Sequence, residues 1–328
     1  MDNILIAELC QNHNGDFNLV RDMVDAAVDA GATHIKIQHI HVKNLTMRPQ
    51  FEEGFVSGGE TLSIKRPFKA EFDRLKKLEL SSKDSRDFVE YVKSKGAVPM
   101  TTCFSRDTIS TLVEEGYECI KVASYDCASF AMIRELADNF KELIISTGAT
   151  FDDEIGYTAD LLNSKGTKFS LLHCVTIYPT PLEEMHLSRM EELKKYGGGI
   201  GFSDHSLVER DGVLASKAAL ALGASVIERH FTILEKDETK DGPVSIKPAH
   251  LKELRRFSEL DKDDQIAELN ETMPDWRSVL SGNKDRSLSK AELLNRSYYR
   301  GRFASPRVHG EHRAEQMIFN WEETPVHN

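Results

Sequence analysis

Apolar and polar positions along this chain follow two rhythms that take turns from the first residues onward. Asn3–Leu9 is a short apolar run, and Leu19, Val20, Met23, Val24 and Ala27 then recur at helical spacing up to Gly31. The next predicted strand is Thr33–Gln38. Residues 40–82 break the rhythm with Pro49, Gly54, Gly58, Gly59 and Pro67, which predicts a long insertion holding a short hairpin. Helical spacing returns over Ser82–Lys95, and Ala97–Phe104 is the third predicted strand. Strands are predicted at Tyr117–Ala123, Leu143–Thr147, Lys168–Cys174, Gly199–Ser203 and Ala224–His230. Between and after them, helical patterns cover Thr108–Glu115, Phe130–Asn139, Asp152–Asn163, Ser188–Tyr196, Val208–Leu222 and Pro248–Leu260. Eight alternations in about 260 residues suit a (β/α)8 TIM barrel. A doubly wound open sheet is the alternative, but no GxGxxG follows the first strand.

The barrel sets a demand, because functional residues of that fold sit at the C-terminal ends of strands. Those ends read Glu8; Lys36 and Gln38; Thr102; Lys121 with Ser124; Ser146 with Thr147; His173 and Tyr178; Ser203 with His205; and Glu228 with His230. Side chains alternate across a strand, so Val226, Glu228 and His230 share one face, as do Gly201, Ser203 and His205. A carboxylate and an imidazole ending a buried strand are costly unless something uses them.

His205 and His230 are therefore candidate ligands of an open metal site, with Asp204, Glu228 and Asp241 able to complete or support the shell. The alternative is a pair of hydrogen-bonded core histidines. Lys36, Lys121 and Arg229 are cations at strand ends, suited to a phosphate and a carboxylate. A Schiff-base lysine is the rival chemistry, and a lysine snorkelling to solvent is the bland one. Ser124, Ser146 and Thr147 add hydroxyl donors. Glu8 shares its strand face with Ile4 and Ile6, pointing inward, where a carboxylate can serve as general base or form a salt bridge to either lysine.

Composition narrows the class. The chain has 328 residues, 40% hydrophobic and 29% charged, as in a soluble globular protein. A net charge of −11 without a Lys/Arg stripe argues against a nucleic-acid surface. No signal peptide and no membrane span is expected, and five cysteines without a CxxC pair suggest reduced thiols in a cytoplasmic protein. Cys10, Cys103 and Cys174 lie near strand ends but carry no motif, and are expected to be small apolar fillers. Two regions follow: a barrel over residues 1–260 with the insertion at 40–82, then a linker and short tail over 261–328. The tail is too aromatic for simple disorder, with a short helix predicted at Ser289–Leu294.

The segments IAELCQNHNGD, IKIQ, TTCFS, IKVAS, STGA, LLHCVTIYPTP, GFSDHS and ERHFT follow one another in the order and spacing of the sialic acid synthase family. The chain resembles that family, the N-acetylneuraminate, legionaminate and pseudaminate synthases, over about residues 4–250. The resemblance implies condensation of phosphoenolpyruvate with the open-chain aldehyde of an N-acylated amino sugar. It implies Mn²⁺ or Mg²⁺ at His205 and His230, and phosphoenolpyruvate at Lys36, Thr102, Lys121, Ser124, Ser146 and Ser203. Glu8 would handle the water that attacks C2, and Glu228 joins Glu8, Lys36 and Lys121 as catalytic. Gln38, Tyr178 and Asp241 would face the sugar, with Phe104 and Thr176 among the substrate-binding residues. On this resemblance no Schiff base is needed.

Three departures stand out. Thr176 occupies a position where the family often has asparagine, Thr239-Lys240-Asp241-Gly242-Pro243 replaces the usual GPDH stretch, and only about Ser297–Glu323 stands where an antifreeze-like domain is usual. In relatives that domain reaches into the neighbouring subunit with an arginine. Arg300 and Arg302 are the residues here that could read the sugar's acyl group, in a homodimer whose tail covers the site; otherwise they tie the tail to acidic barrel residues. A phosphoenolpyruvate-dependent synthase acting on a sugar phosphate would need a second phosphate site, for which Lys65-Arg66 is one possibility. An inactive barrel acting as a binding module is the remaining alternative.

Overall fold

A computed structural model describes residues 3–307 and 317–326. Eight parallel strands close into a barrel: β1 (Ile4–Glu8), β2 (His34–His39), β3 (Val98–Cys103), β4 (Cys119–Val122), β5 (Glu142–Ser146), β6 (Lys168–Cys174), β7 (Gly199–Asp204) and β8 (Val226–His230). Each strand pairs with its sequence neighbours and β1 pairs with β8, so the TIM barrel expected from the pattern is the fold.

The strands are short, and their inward residues change character within one step of the alternation. Ile6, Met100, Cys119, Ile144, Leu172 and Val226 form one apolar cluster that plugs the lower barrel. Two residues further along each strand come Glu8, Thr102, Lys121, Ser146, Cys174 and Glu228. Gly201 completes the plug by having no side chain. A Cβ there would lie 2.4 Å from the Val226 carbonyl oxygen and 3.1 Å from Leu172 Cγ. The larger core lies outside the strands, between barrel and helices, around residues such as Phe88, Phe202, Phe231 and Phe257.

The predicted helix Val208–Leu222 is two pieces, Val208–Asp211 and Leu214–Ala221, broken at Gly212 where φ is +54°. The insertion holds the expected hairpin, Phe55–Ser57 with Glu60–Ser63. It also contains a helix, Phe68–Lys76, whose start follows Pro67 directly. The sequence rhythm missed it because that helix buries only Leu75 fully.

Residues after 260, expected to begin with a linker, instead form helices Lys262–Thr272 and Trp276–Ser281. Asp261 caps the first by accepting from the Asp264 N–H at 2.9 Å. The acidic run DKDDQ reads as solvent-exposed coil in one dimension, but it is a helix N-terminus, where acidic residues are favoured. Trp276 is fully buried and donates its indole N–H to Asn270 Oδ1 at 3.0 Å. Trp276→Ala should cost about 3–5 kcal/mol. A denaturation midpoint within error of the unaltered protein would mean the segment packs too loosely to matter.

The helix predicted at Ser289–Leu294 runs longer, as Lys290–Tyr299 with Ser289 as its cap. Two short antiparallel strands, β9 (Ala304–Pro306) and β10 (Met317–Phe319), follow it; residues 308–316 of the predicted tail lie outside the described residues. Asn320 fixes the tail to its own barrel, donating to the Phe104 carbonyl and to Asp126 Oδ1, both at 2.9 Å. Among the described residues no helix is long and apolar enough to cross a membrane.

Candidate active site

The polar ring at the C-terminal end of the barrel is held in register by the strand pairing itself. Glu8 lies level with Lys36 on one side and His230 on the other, and Glu228 lies level with Ser203. Lys36 forms an ion pair with Glu8, approaches Glu228 Oε1 at 3.3 Å and donates to Thr102 Oγ1 at 2.9 Å. Lys121 donates to Ser146 Oγ at 2.6 Å and lies 3.6 Å from Glu228 Oε2. Glu228 thus stands between two buried ammonium groups. Burial alone would raise its carboxyl, but Lys121 and Lys36 outweigh that and hold it below the usual range. Burial pushes the Lys36 ammonium down to about 8, against the opposing pull of Glu228. Ser124 begins the turn after β4, where its Oγ accepts the Gly148 N–H at 3.2 Å.

Above this layer stand the two histidines. Their rings meet edge to face with centroids 5.1 Å apart, and Tyr178, half exposed, lies over His205 at 4.1 Å. Burial lowers both imidazoles to about 3, so both are neutral near pH 7, the form that binds metals. His230 Nδ1 is buried without a hydrogen-bond partner. Ligand atoms of His230, Asp241 and Cys10 lie within 4.8 Å of one another. Burial, with Asp241 and Glu228 nearby, pushes the Cys10 thiol well above its ordinary range. An imidazole with an orphaned nitrogen, a carboxylate and a thiol together are a donor set that fits a divalent metal.

Some strand-end residues face the other way. Arg229 forms a fully buried ion pair with Asp204 at 2.5 Å and donates to Ser206 Oγ at 2.7 Å. Asp204 also accepts from Ser216, so it is not aimed into the ring, and Arg229 is not a mouth cation. His173 hydrogen-bonds the Met185 carbonyl at 2.7 Å and stacks near Phe202, outside the barrel. Alternation explains all three, since each sits one residue away from an inward position.

The sugar-side candidates form a looser set. Gln38 accepts from Gln11 at 3.1 Å, and Gln11 in turn accepts from Arg74 at 2.6 Å. Thr176 is buried; its carbonyl accepts from Asn295 at 2.8 Å while its hydroxyl has no partner. Phe104 packs on Phe303 of the tail, ring centroids 5.1 Å apart. Arg302 pairs with Glu71, the same carboxylate that Arg74 holds at 2.6 Å. Arg300 turns away toward Glu154 at 3.5 Å and lies over the Trp321 ring. The two tail arginines therefore serve different neighbours. Sequence reasoning missed Arg74 and Glu71, because nothing local marks a helix inside an insertion as part of the mouth. It missed Gln11, in the turn after β1, because its partner Arg74 lies 63 residues away.

Residues 23–261 match the NeuB family. The N,N'-diacetyllegionaminic acid synthase of Campylobacter jejuni is 29% identical over 290 residues, 87% of this chain and 82% of that protein. The synthase of the same name from Legionella pneumophila is 30% identical over 259 residues, 76% of this chain and 69% of that protein. Among solved structures, the N-acetylneuraminic acid (sialic acid) synthetase of Leptospira borgpetersenii in complex with citrate aligns over 91% of each chain, with TM-score 0.68 and 28% identity. The family match takes in most of the barrel and of the chain, and by it this protein belongs to the NeuB family, the sialic acid synthases, and is an enzyme.

Proposed function

We propose that this enzyme condenses phosphoenolpyruvate with the open-chain aldehyde of an N-acylated amino sugar, of the N-acetylmannosamine or diacetamido-trideoxyhexose kind, giving a nonulosonic acid and phosphate. The observation that carries the reading is the pair of buried lysines around Glu228, one step below two neutral histidines. Two fixed cations suit a small substrate with a phosphate and a carboxylate. The names of the Campylobacter and Legionella relatives support the product class.

Lys36 and Lys121 bind the two anionic groups, with Thr102, Ser124, Ser146 and Ser203 offering hydroxyls to their oxygens. When Lys36 turns to the substrate, its ion pair with Glu8 loosens and that carboxylate becomes available as a base. Glu228 stays between the lysines and holds both in place. A divalent cation at His205 and His230, Mn²⁺ or Mg²⁺ by family resemblance, would supply Lewis acidity to the aldehyde oxygen. The C3–aldehyde carbon bond forms as the C2=C3 and aldehyde C=O π bonds open. Water adds at C2 and gives one proton to Glu8, and an equivalent proton converts the new alkoxide to a hydroxyl. The C2–O bond to phosphate breaks as the C2 hydroxyl passes its proton to the departing phosphate and becomes the ketone. Tyr178 and Gln38 flank the path of the sugar, while Arg302 stands on the mouth side of the tail. The enzyme works as a homodimer in this proposal, in the cytoplasm, without nucleic acid or membrane as partner.

A second reading, an acceptor that itself carries a phosphate, is favoured by one observation. Arg74 and Arg302 share Glu71, and burial and Arg74 hold the nearby Lys240 below its usual range. Three cations beside two carboxylates, Glu71 and Asp241, still leave positive charge at the mouth. Lys65, the earlier possibility, is engaged by Glu53 at 2.6 Å on the hairpin side.

Phosphate release from phosphoenolpyruvate, measured with no sugar, with neutral amino sugars and with their phosphates, tests both readings. Release that needs no aldose, or none with any aldose, would sink the condensation. The pH profile adds a separate check. Lys36 is charged below about 8 and neutral above it, so kcat/KM for phosphoenolpyruvate should fall about tenfold per pH unit above that point. A flat profile up to pH 10 would mean the charged lysine does not bind the anion.

A further inference from the structure

All five cysteines are buried free thiols. Cys103, Cys119 and Cys127 lie in apolar clusters and Cys174 sits beside His205, but Cys10 is placed differently. It immediately follows the Leu9 that extends β1, with φ at +51°, a left-handed conformation that non-glycine residues rarely adopt. Its N–H donates to Glu8 Oε1 at 2.9 Å and its thiol to the Glu8 carbonyl at 3.4 Å. The turn is therefore pinned at both ends, and the sulfur is delivered to His230 and Asp241 rather than to the apolar core. Ligand atoms of the three residues lie within 4.8 Å of one another. Nδ1 of the same His230 ring is buried and lacks any partner, an independent sign that something absent from the protein chain completes it.

We propose that Cys10 is a protein ligand of the metal ion, its thiolate joining His230 and Asp241, with His205 on the neighbouring strand. The proposal rests on the metal reading above and narrows it. Thiolate, imidazole and carboxylate form a mixed set that favours borderline cations such as Co²⁺, Fe²⁺ and Zn²⁺ over Mg²⁺, which keeps to oxygen donors. Metal–ligand bonds of about 2.0–2.3 Å place donors of one ion about 3.5 Å apart. The three residues thus need to close their separations by at most about 1.3 Å, from 4.8 Å to about 3.5 Å. On binding, the thiol gives up its proton to solvent, so each ion bound through Cys10 releases one proton.

Cobalt is the probe, because a thiolate bound to Co²⁺ absorbs in the near ultraviolet whereas imidazole and carboxylate ligands do not. The metal-free full-length protein, titrated with Co²⁺, should develop that charge-transfer band at one ion per chain. Cys10→Ser should abolish the band and weaken Co²⁺ binding at least about tenfold, the lower end of what losing even an outer-shell partner costs. Cys174→Ala should keep the band; this is the informative control, since Cys174 Sγ lies 3.7 Å from His205 Nδ1. Stoichiometric Co²⁺ binding without the band overturns the role of Cys10 and leaves the histidine site standing. A band that survives Cys10→Ser, or disappears with Cys174→Ala, overturns it as well. No Co²⁺ binding at all overturns both this inference and the metal reading, whereas phosphate release tests the condensation separately. If Cys10→Ser does not fold, the spectra of the unaltered protein and of Cys174→Ala still decide.

Discussion

Replacing His230 with alanine should reduce phosphate release by about 10³-fold or more while the barrel stays folded. The ring stands at the open end of the strand, and its Nδ1 makes no hydrogen bond that the fold would lose. What the substitution removes is a neutral, electron-rich donor beside Asp241 and Cys10. Lewis acidity at a carbonyl contributes several kcal/mol to the transition state, and about 4 kcal/mol is a factor of roughly 10³. Chelation of the unaltered enzyme should have the same effect, reversed by adding Mn²⁺. Glu228 lies one step below on the same face, so the variant must be checked for an intact midpoint of unfolding. Full turnover in the chelated enzyme, or in His230→Ala, would leave the two histidines as ordinary packed side chains.

Glu8→Gln should lower kcat by about 10²–10⁴-fold, the range of a positioned general base, with a smaller change in the affinity for phosphoenolpyruvate. The substitution keeps the side chain's shape and its contact with the Cys10 N–H, because an amide oxygen can accept that bond as the carboxylate Oε1 does. It removes the charge that pairs with Lys36, but Glu228 remains 3.3 Å from the same ammonium. Lys36 therefore keeps one carboxylate partner and stays in place to meet the substrate. Single-turnover kinetics separate the two effects, since binding is read before chemistry. A kcat reduced by less than about tenfold would assign Glu8 to holding Lys36 and the Cys10 turn, with the base elsewhere.

These two predictions rest on positions that the sequence marks locally. Lys36 follows His34 and Ser203 follows Gly201, and both were marked only by ending a strand. Glu8, Thr102, Lys121, Ser146 and Glu228 were recognisable because each follows an apolar residue two places earlier on the same strand face. That contrast survives in one dimension. His173 shows the limit of the argument: it ends a strand as the others do, but one residue out of phase, so it packs outside on Phe202. Asp204 and Arg229 fail for the same reason and satisfy each other instead. Residues 261–281 were misread because their helices carry few buried residues, and Trp276 finds its place only against the rest of the fold.

The sequence by itself determined the barrel, the face on which the site lies and most of its inner layer, because alternation and strand order are local properties that a closed parallel sheet converts directly into position. Tertiary structure alone decided which groups converge from afar. Arg74 reaches Gln11 from a helix in the insertion, and Arg302 meets Arg74 across Glu71 from the tail. Cys10, which the sequence predicts to be a small filler after the first strand, meets His230 and Asp241 only once β1 closes against β8. Such meetings depend on loop paths and ring closure over long stretches of chain, and no periodicity of two or 3.6 residues records them.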